Sequence, residues 1–150
     1  LVLTNHGKLR DLTVEGRPVG EAYLASIEDR EDKGSCIMLL ATDIPLSERQ
    51  LRRMCRRAVI GLHRLGSYMG NGSGELCIGF TTANRLPHYS QRDVLPLGML
   101  HDDKMNLVFR AAAEAVEESV LSSLLHSQGM ADRHGKWVPS LADILTKRSR

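Results

Sequence analysis

Cys36-Ile37-Met38-Leu39-Leu40-Ala41 is an unbroken apolar run, and it follows directly on a charged, turn-prone stretch that ends at Gly34-Ser35. From Cys36 to Thr42 the length suits a strand, and the absence of alternation predicts a central strand buried on both faces. The preceding Glu28-Asp29-Arg30-Glu31-Asp32-Lys33 has no apolar residue and reads as an exposed, cleavable loop. A Ser opening such a strand would, were the peptide bond before it cut, carry a hydroxyl and a free α-amine on one residue. That is a nucleophile with a base attached.

Helix signals follow the run at once. Ser47 and Gln50 form a capping box with Pro45 outside it, and Leu51, Met54, Cys55, Ala58, Val59, Leu62 and Leu65 repeat at helical spacing, so a helix is predicted from Glu48 to Leu65, stopping at Gly66. Gly70 to Glu75 is a flexible loop feeding a second mostly apolar strand through Asn84. It lacks the Lys-Ser/Thr pair and following helix of a phosphate loop. Arg85 to Asp102 reads as a long connection. Asp102 or Asp103 is placed to cap a second helix from Met105 to Ser127, with Val108, Ala112, Ala115, Val116, Val120, Leu124 and Leu125 inward. Trp137-Val138-Pro139 and Leu141 to Leu145 are left for a short terminal element before the basic tail Lys147 to Arg150. At the other end, Leu1 to Thr4 and Leu9 to Val14 suggest two strands around the Asn5-His6-Gly7 turn, and short turns favour antiparallel pairing. The order strand, strand, strand, helix, strand, helix predicts a layered α/β protein.

With 150 residues, 42% of them hydrophobic, the chain is long enough for one cored domain, and its longest apolar runs stop well short of a membrane helix. It opens on an apolar run without Met, as an interior piece of a longer polypeptide would. Cys36, Cys55 and Cys77 lie in apolar segments without metal-ligand or CxxC spacing and read as buried, reduced thiols of a cytoplasmic protein. The six His are scattered, with no pair at helix-face spacing, so no metal and no cofactor are expected. Arg49, Arg52, Arg53, Arg56, Arg57 and Arg64 line the polar face of the first helix. With a formal net charge of only +2 and few aromatics, this is better read as a solvated face or subunit contact than as a nucleic-acid stripe.

The run Gly34 to Leu46 resembles the start of the β-subunit in DmpA-type aminopeptidases, the L-aminopeptidase/D-amidase/D-esterase and β-peptidyl aminopeptidase group. Thr4-Asn5-His6-Gly7 with Gly16-Arg17-Pro18-Val19-Gly20 is similar to the end of that family's α-subunit. Ser73-Gly74-Glu75 through Thr82-Ala83-Asn84 is similar to its active-site loop and strand, and Glu114 to Leu125 to its last long helix. The resemblance implies an αββα sandwich of the self-processing DmpA/ornithine acetyltransferase type, of which this chain is part. Residues 1–34 would end the α-subunit region, and 35–150 would form the β-subunit region starting at the nucleophile.

What the resemblance implies for the site is self-cleavage between Gly34 and Ser35, with Ser35 as nucleophile, Ser73 and Glu75 as its hydrogen-bonding partners, and Asn5 as an oxyanion donor. An isolated Ser hydroxyl is a poor nucleophile, so a base and an orienting network are needed. The α-amine, with a reference pKa of about 7.7–8.0, and Glu75 both remain candidates for the base. By local pattern alone, Asn5 is an ordinary turn residue. The sequence departs from the family pattern at His6, where many members carry an aromatic.

The implied activity is release of N-terminal residues from short peptides, amides or esters through an acyl-serine intermediate, by αβ units assembled into a homo-oligomer. The missing upstream part of the α-subunit would complete the pocket, with neither nucleic acid nor membrane involved. One alternative is an acyltransferase of the ornithine acetyltransferase type, against which Ser35 argues because that group usually uses Thr. The other is a non-catalytic interaction module using the basic helix face.

Overall fold

In the computed structural model, which describes residues 1–26 and 33–147, the chain runs β1 (Val2–Asn5), β2 (Thr13–Val14), β3 (Arg17–Pro18), β4 (Ser35–Thr42), α1 (Glu48–Arg64), β5 (Gly74–Thr81), α2 (Met105–His126), β6 (Met130–Ala131), β7 (Trp137–Val138) and α3 (Leu141–Lys147). The charged stretch before Gly34 lies outside the described residues except for Lys33, which is exposed, and so does the tail from Arg148.

Three strands make the principal sheet, in the order β1-β4-β5. β1 runs antiparallel to β4, and β5 runs parallel to it with α1 as the crossover. The partner of β1 is therefore β4 and not Leu9–Val14, where a second strand was expected. Leu9–Asp11 instead forms a 3-10 turn, and Thr13–Val14 pairs with Arg17–Pro18 in a separate two-residue hairpin. Its turn residues Glu15 and Gly16 both have positive φ, 51° and 73°, the twist a tight hairpin needs.

β4 is central, as expected, yet it is not buried on both faces. Cys36 and Met38 are buried, whereas Ile37 is 43% exposed. Only the face bearing Cys36 and Met38 is covered, by α1 and α2, and the two helices close a core with Ala58, Leu62, Leu65, Val116 and Val120. Burying each of the Met, Leu and Val side chains contributes about 1.5–3 kcal/mol. A second cluster, Leu46, Met54, Met105, Val108 and Ala112, continues the core along the helices. On the opposite face Leu3, Ile37, Leu76, Ile78 and Phe80 remain exposed.

α1 starts at the expected box. Ser47 Oγ accepts from the Gln50 N–H at 3.4 Å, and Gln50 Oε1 accepts from the Ser47 N–H at 3.1 Å. It ends one residue early, with Leu65 as its cap and Gly66 at φ 93°. α1 and α2 meet backbone to backbone at Gly61, where a Cβ would lie 2.6 Å from the Ala113 oxygen. That crossing rotates α2 so that Ala113 is buried while Ala115 and Leu125 point outward, contrary to the periodicity expected for those two.

Neither Asp102 nor Asp103 caps α2 itself. A 3-10 turn, Asp102–Lys104, precedes the helix, and Asp102 is engaged by α1 instead: it accepts two bonds from Arg49 (2.7 and 2.9 Å), one from Gln50 (2.7 Å) and one from Arg53 (3.2 Å). These bonds hold its carboxyl below the usual aspartate value, Arg49 first and Gln50 next. Arg53 and Arg57 stack on the Phe109 ring, Arg52 pairs with Glu48, and Arg64 bonds Glu117 at 2.8 Å. Much of the arginine face is thus spent on pinning α1 to α2.

The connection Arg85–His101 has no regular structure, and its neck is closed by Asn84. The Asn84 side chain donates to Gly98 O and accepts from Gly98 N, both at 2.9 Å. No described helix is long and apolar enough to cross a membrane.

Candidate active site

Strand ends converge at one edge of the sheet. Asn5 is the last residue of β1, Ser35 the first of β4 and Gly74 the first of β5, and the register sets Asn5 opposite Ser35 and Ser35 beside Gly74. Directly paired residues of neighbouring strands project from the same face. Ser35 and Asn5 are both exposed, as are Leu3 and Ile37 two residues along each strand, so both side chains belong to the face the helices do not cover. Backbone ladders to β1 and β5 hold Ser35 at a strand end, where its side chain is exposed.

Gly34 fits where no other residue does. A Cβ on it would fall 1.3 Å from the Asn5 carbonyl oxygen and 2.9 Å from His6 Cα, so the backbone before Ser35 lies directly against the Asn5-His6 turn. Its carbonyl oxygen accepts from the Gly74 N–H at 3.3 Å. The Asn5 turn is itself braced: Gly7 has φ 82°, and Thr4 Oγ1 bonds Ser123 Oγ on α2 at 2.7 Å.

Ser73 and Glu75 are brought together, the Ser73 hydroxyl donating to Glu75 Oε1 at 2.6 Å. Glu75 sits opposite Cys36, on the helix side of the sheet, and Ser73 lies just before the strand. Burial, and after it the Glu75 charge, pushes the Cys36 thiol up to about 11. Ser35 Oγ lies beside Gly74, the residue between them: a Cβ on Gly74 would be 3.6 Å from it. Among the described residues, the Ser35 hydroxyl forms no hydrogen bond with Ser73, Glu75 or Asn5. The chain therefore gathers all five expected residues at one sheet edge, with Asn5 and Ser35 on the uncovered face.

Two features escaped the sequence reading. Gly74, between Ser73 and Glu75, contributes a backbone donor; its place in the register was the only signal, and register is not visible in one strand alone. Thr4–Ser123 joins residues too far apart in sequence to be paired by pattern. A cavity of about 430 Å³ also opens on the helix side, lined by Lys8, Leu12, Leu65, Leu124 and Ile144 among others and touching Asn5 and Gly34. Ser35, Ser73 and Glu75 do not line it.

Cys55 and Cys77 are half-buried rather than fully buried, and all three cysteines are free. Cys77 is pushed up to about 12, chiefly by burial and then by the neighbouring Cys55 thiol, which suits packing and not nucleophilic chemistry. Among the described residues, no group of three His, Cys, Asp or Glu is placed to hold a metal ion.

Residues 1–138 match the model of peptidase family S58. The β-peptidyl aminopeptidase BapA of Sphingosinicella microcystinivorans is 31% identical over 94% of this chain, which spans 39% of that protein. Among solved structures, the PH0078 protein of Pyrococcus horikoshii superposes with a TM-score of 0.84 at 40% identity, over 99% of this chain and 42% of that one. The L-aminopeptidase D-Ala-esterase/amidase of Ochrobactrum anthropi, described as a prototype of the serine aminopeptidases and a variant of the Ntn hydrolase fold, superposes with a TM-score of 0.78 at 33% identity, over 99% and 43%. The chain thus spans about two fifths of the length of the relatives it matches.

Proposed function

We propose, because this chain belongs to peptidase family S58, that it is the nucleophile-bearing part of a self-processing serine aminopeptidase that releases N-terminal residues from short peptides, amides or esters. The observation that carries this is the meeting of Asn5, Ser35 and Gly74 at one sheet edge, with the bonded pair Ser73–Glu75 alongside. The names of the relatives, a β-peptidyl aminopeptidase and an aminopeptidase-esterase-amidase, supply the substrate class.

In the mature enzyme Ser35 would be the first residue of its subunit. Its α-amine, or Glu75 acting through Ser73, takes the hydroxyl proton as Oγ attacks the substrate carbonyl. The Asn5 amide donates to the tetrahedral oxyanion. Collapse expels the amine or alcohol and leaves an acyl-Ser35, which water then hydrolyses. On this reading residues 1–34 close the α-subunit and 35–150 constitute the β-subunit.

The αββα arrangement is supported by the exposed row Leu3, Ile37, Leu76, Ile78 and Phe80, an apolar sheet face of the kind a second sheet covers. That second sheet, the remaining pocket and any assembly of αβ units would come from the part of the family's length that this chain does not span.

Intact mass spectrometry of the full-length gene product tests the proposal. The parent is expected as two fragments meeting at Gly34 and Ser35, with aminopeptidase activity, and Ser35→Ala as one uncut, inactive chain. An uncut Ser35→Ala protein that keeps its activity would defeat the assignment.

A further inference from the structure

Self-cleavage at Gly34–Ser35 places negative charge on the Gly34 carbonyl oxygen, and a donor already rests on that oxygen: the Gly74 N–H, at 3.3 Å. We infer that the Gly74 backbone N–H is the catalytic hydrogen-bond donor that stabilises the Gly34 oxyanion during self-cleavage. The inference rests on the self-processing reading above and extends it to an atom that reading does not use.

Three observations give the donor its role. The acceptor is closely packed, because the Gly34 backbone lies against the Asn5 oxygen and His6 Cα. The donor is fixed from both sides: the Ser73 N–H bonds Gly70 O at 2.8 Å, and the Ser73 hydroxyl bonds Glu75 at 2.6 Å across Gly74. Nucleophile and donor flank the same carbonyl, since Gly74 is also the residue whose Cβ would sit 3.6 Å from Ser35 Oγ. A parallel ladder forms such bonds at every second residue; this one differs in that its acceptor is the carbonyl that reacts.

The length of the bond also suits catalysis. At 3.3 Å it is a weak contact to a neutral carbonyl. Bonds from N–H to charged oxygen contract to about 2.7–2.9 Å and are roughly twice as strong. The interaction therefore strengthens as charge develops, which is the only kind that lowers a barrier.

In the step itself, Ser35 Oγ forms a bond to the Gly34 carbonyl carbon, the C=O electron pair moves onto the Gly34 oxygen facing Gly74, and the hydroxyl proton passes through a base to the Ser35 nitrogen. Collapse breaks the C–N bond and frees the amine, leaving an ester. Water then adds OH to the acyl carbon and H to Oγ, giving the free hydroxyl and a Gly34 carboxylic acid that passes its proton to the Ser35 amine.

The test compares first-order self-cleavage of full-length precursors. One carries glycolic acid in place of Gly74, so that an ester oxygen replaces the N–H; the control makes the same amide-to-ester exchange at Leu76, two residues further along the β4–β5 ladder and away from the Gly34 carbonyl. Parent and Leu76 control are expected to cleave at rates within several-fold of each other, and the Gly74 ester precursor about 10²–10³-fold slower. Equal rates for the Gly74 ester and parent would overturn the inference and leave self-processing intact, whereas a parent that never cleaves overturns both. Should the ester chain not fold, hydrogen exchange at the Gly74 amide decides. It is expected to be protected in uncut Ser35→Ala precursor and to lose protection in the cleaved parent; an unprotected Gly74 in the uncut chain rules the donor out.

Discussion

A serine at the first position of a strand satisfies two demands that usually conflict. Backbone ladders on both sides hold Ser35, and at the strand end its side chain is exposed. Asn5 shares this arrangement at the end of the neighbouring strand, which places its amide on the same face. On the proposed mechanism, replacing it with Ala removes one oxyanion donor, so kcat of the mature enzyme is expected to fall by about 10²–10³-fold with little change in KM. Steady-state kinetics of separately purified Asn5→Ala check this, and a large rise in KM at unchanged kcat would reassign Asn5 to ground-state binding. The Gly34-Ser35 pair was legible from its context. The reason the first must be glycine was not, because it lies in the Asn5 oxygen 29 positions upstream along the chain.

Elements followed local chemistry where local chemistry was decisive. The capping box at Ser47 and the stop at Gly66 bound α1 almost as read, because both signals act within one turn. Asp102 went the other way. Its sequence position beside a helix start suggested a cap, but three cationic or amide donors on α1 outcompete a local N–H for its carboxylate. The depressed pKa has a definite consequence for stability. A carboxyl whose folded value lies below its unfolded value of about 3.9 stabilises the fold above that pH and loses the contribution as pH falls through the folded value. Asp102→Asn is therefore expected to lower the thermal midpoint at pH 7, and the gap from the parent should close as pH falls below about 4. Calorimetry across that range tests it; a gap independent of pH would mean that shape rather than charge matters at this residue.

At the scale of the whole molecule, the sheet is covered on one side only, and β5 alternates Leu76, Ile78 and Phe80 outward with Glu75, Cys77 and Gly79 inward. In the full-length protein, Ile78→Lys is expected to reduce stability by several kcal/mol, because a second layer over this face would bury an unpaired charge. Chemical denaturation measures this, and a near-neutral effect would mean the face stays in water. By itself the sequence determined which segments form α1, β4, β5 and α2, since capping, periodicity and apolar runs act between near neighbours, and it marked Gly34-Ser35 by its context, whereas Asn5, Ser73 and Glu75 stood out only through the family resemblance. Only the tertiary structure decided that β1 pairs with β4 and not with Leu9–Val14, that β4 is one-sided within this chain, and that the Gly74 N–H meets the Gly34 carbonyl. Those are matters of register and of what packs on each face, set by contacts among residues dozens of positions apart, and no local pattern carries them.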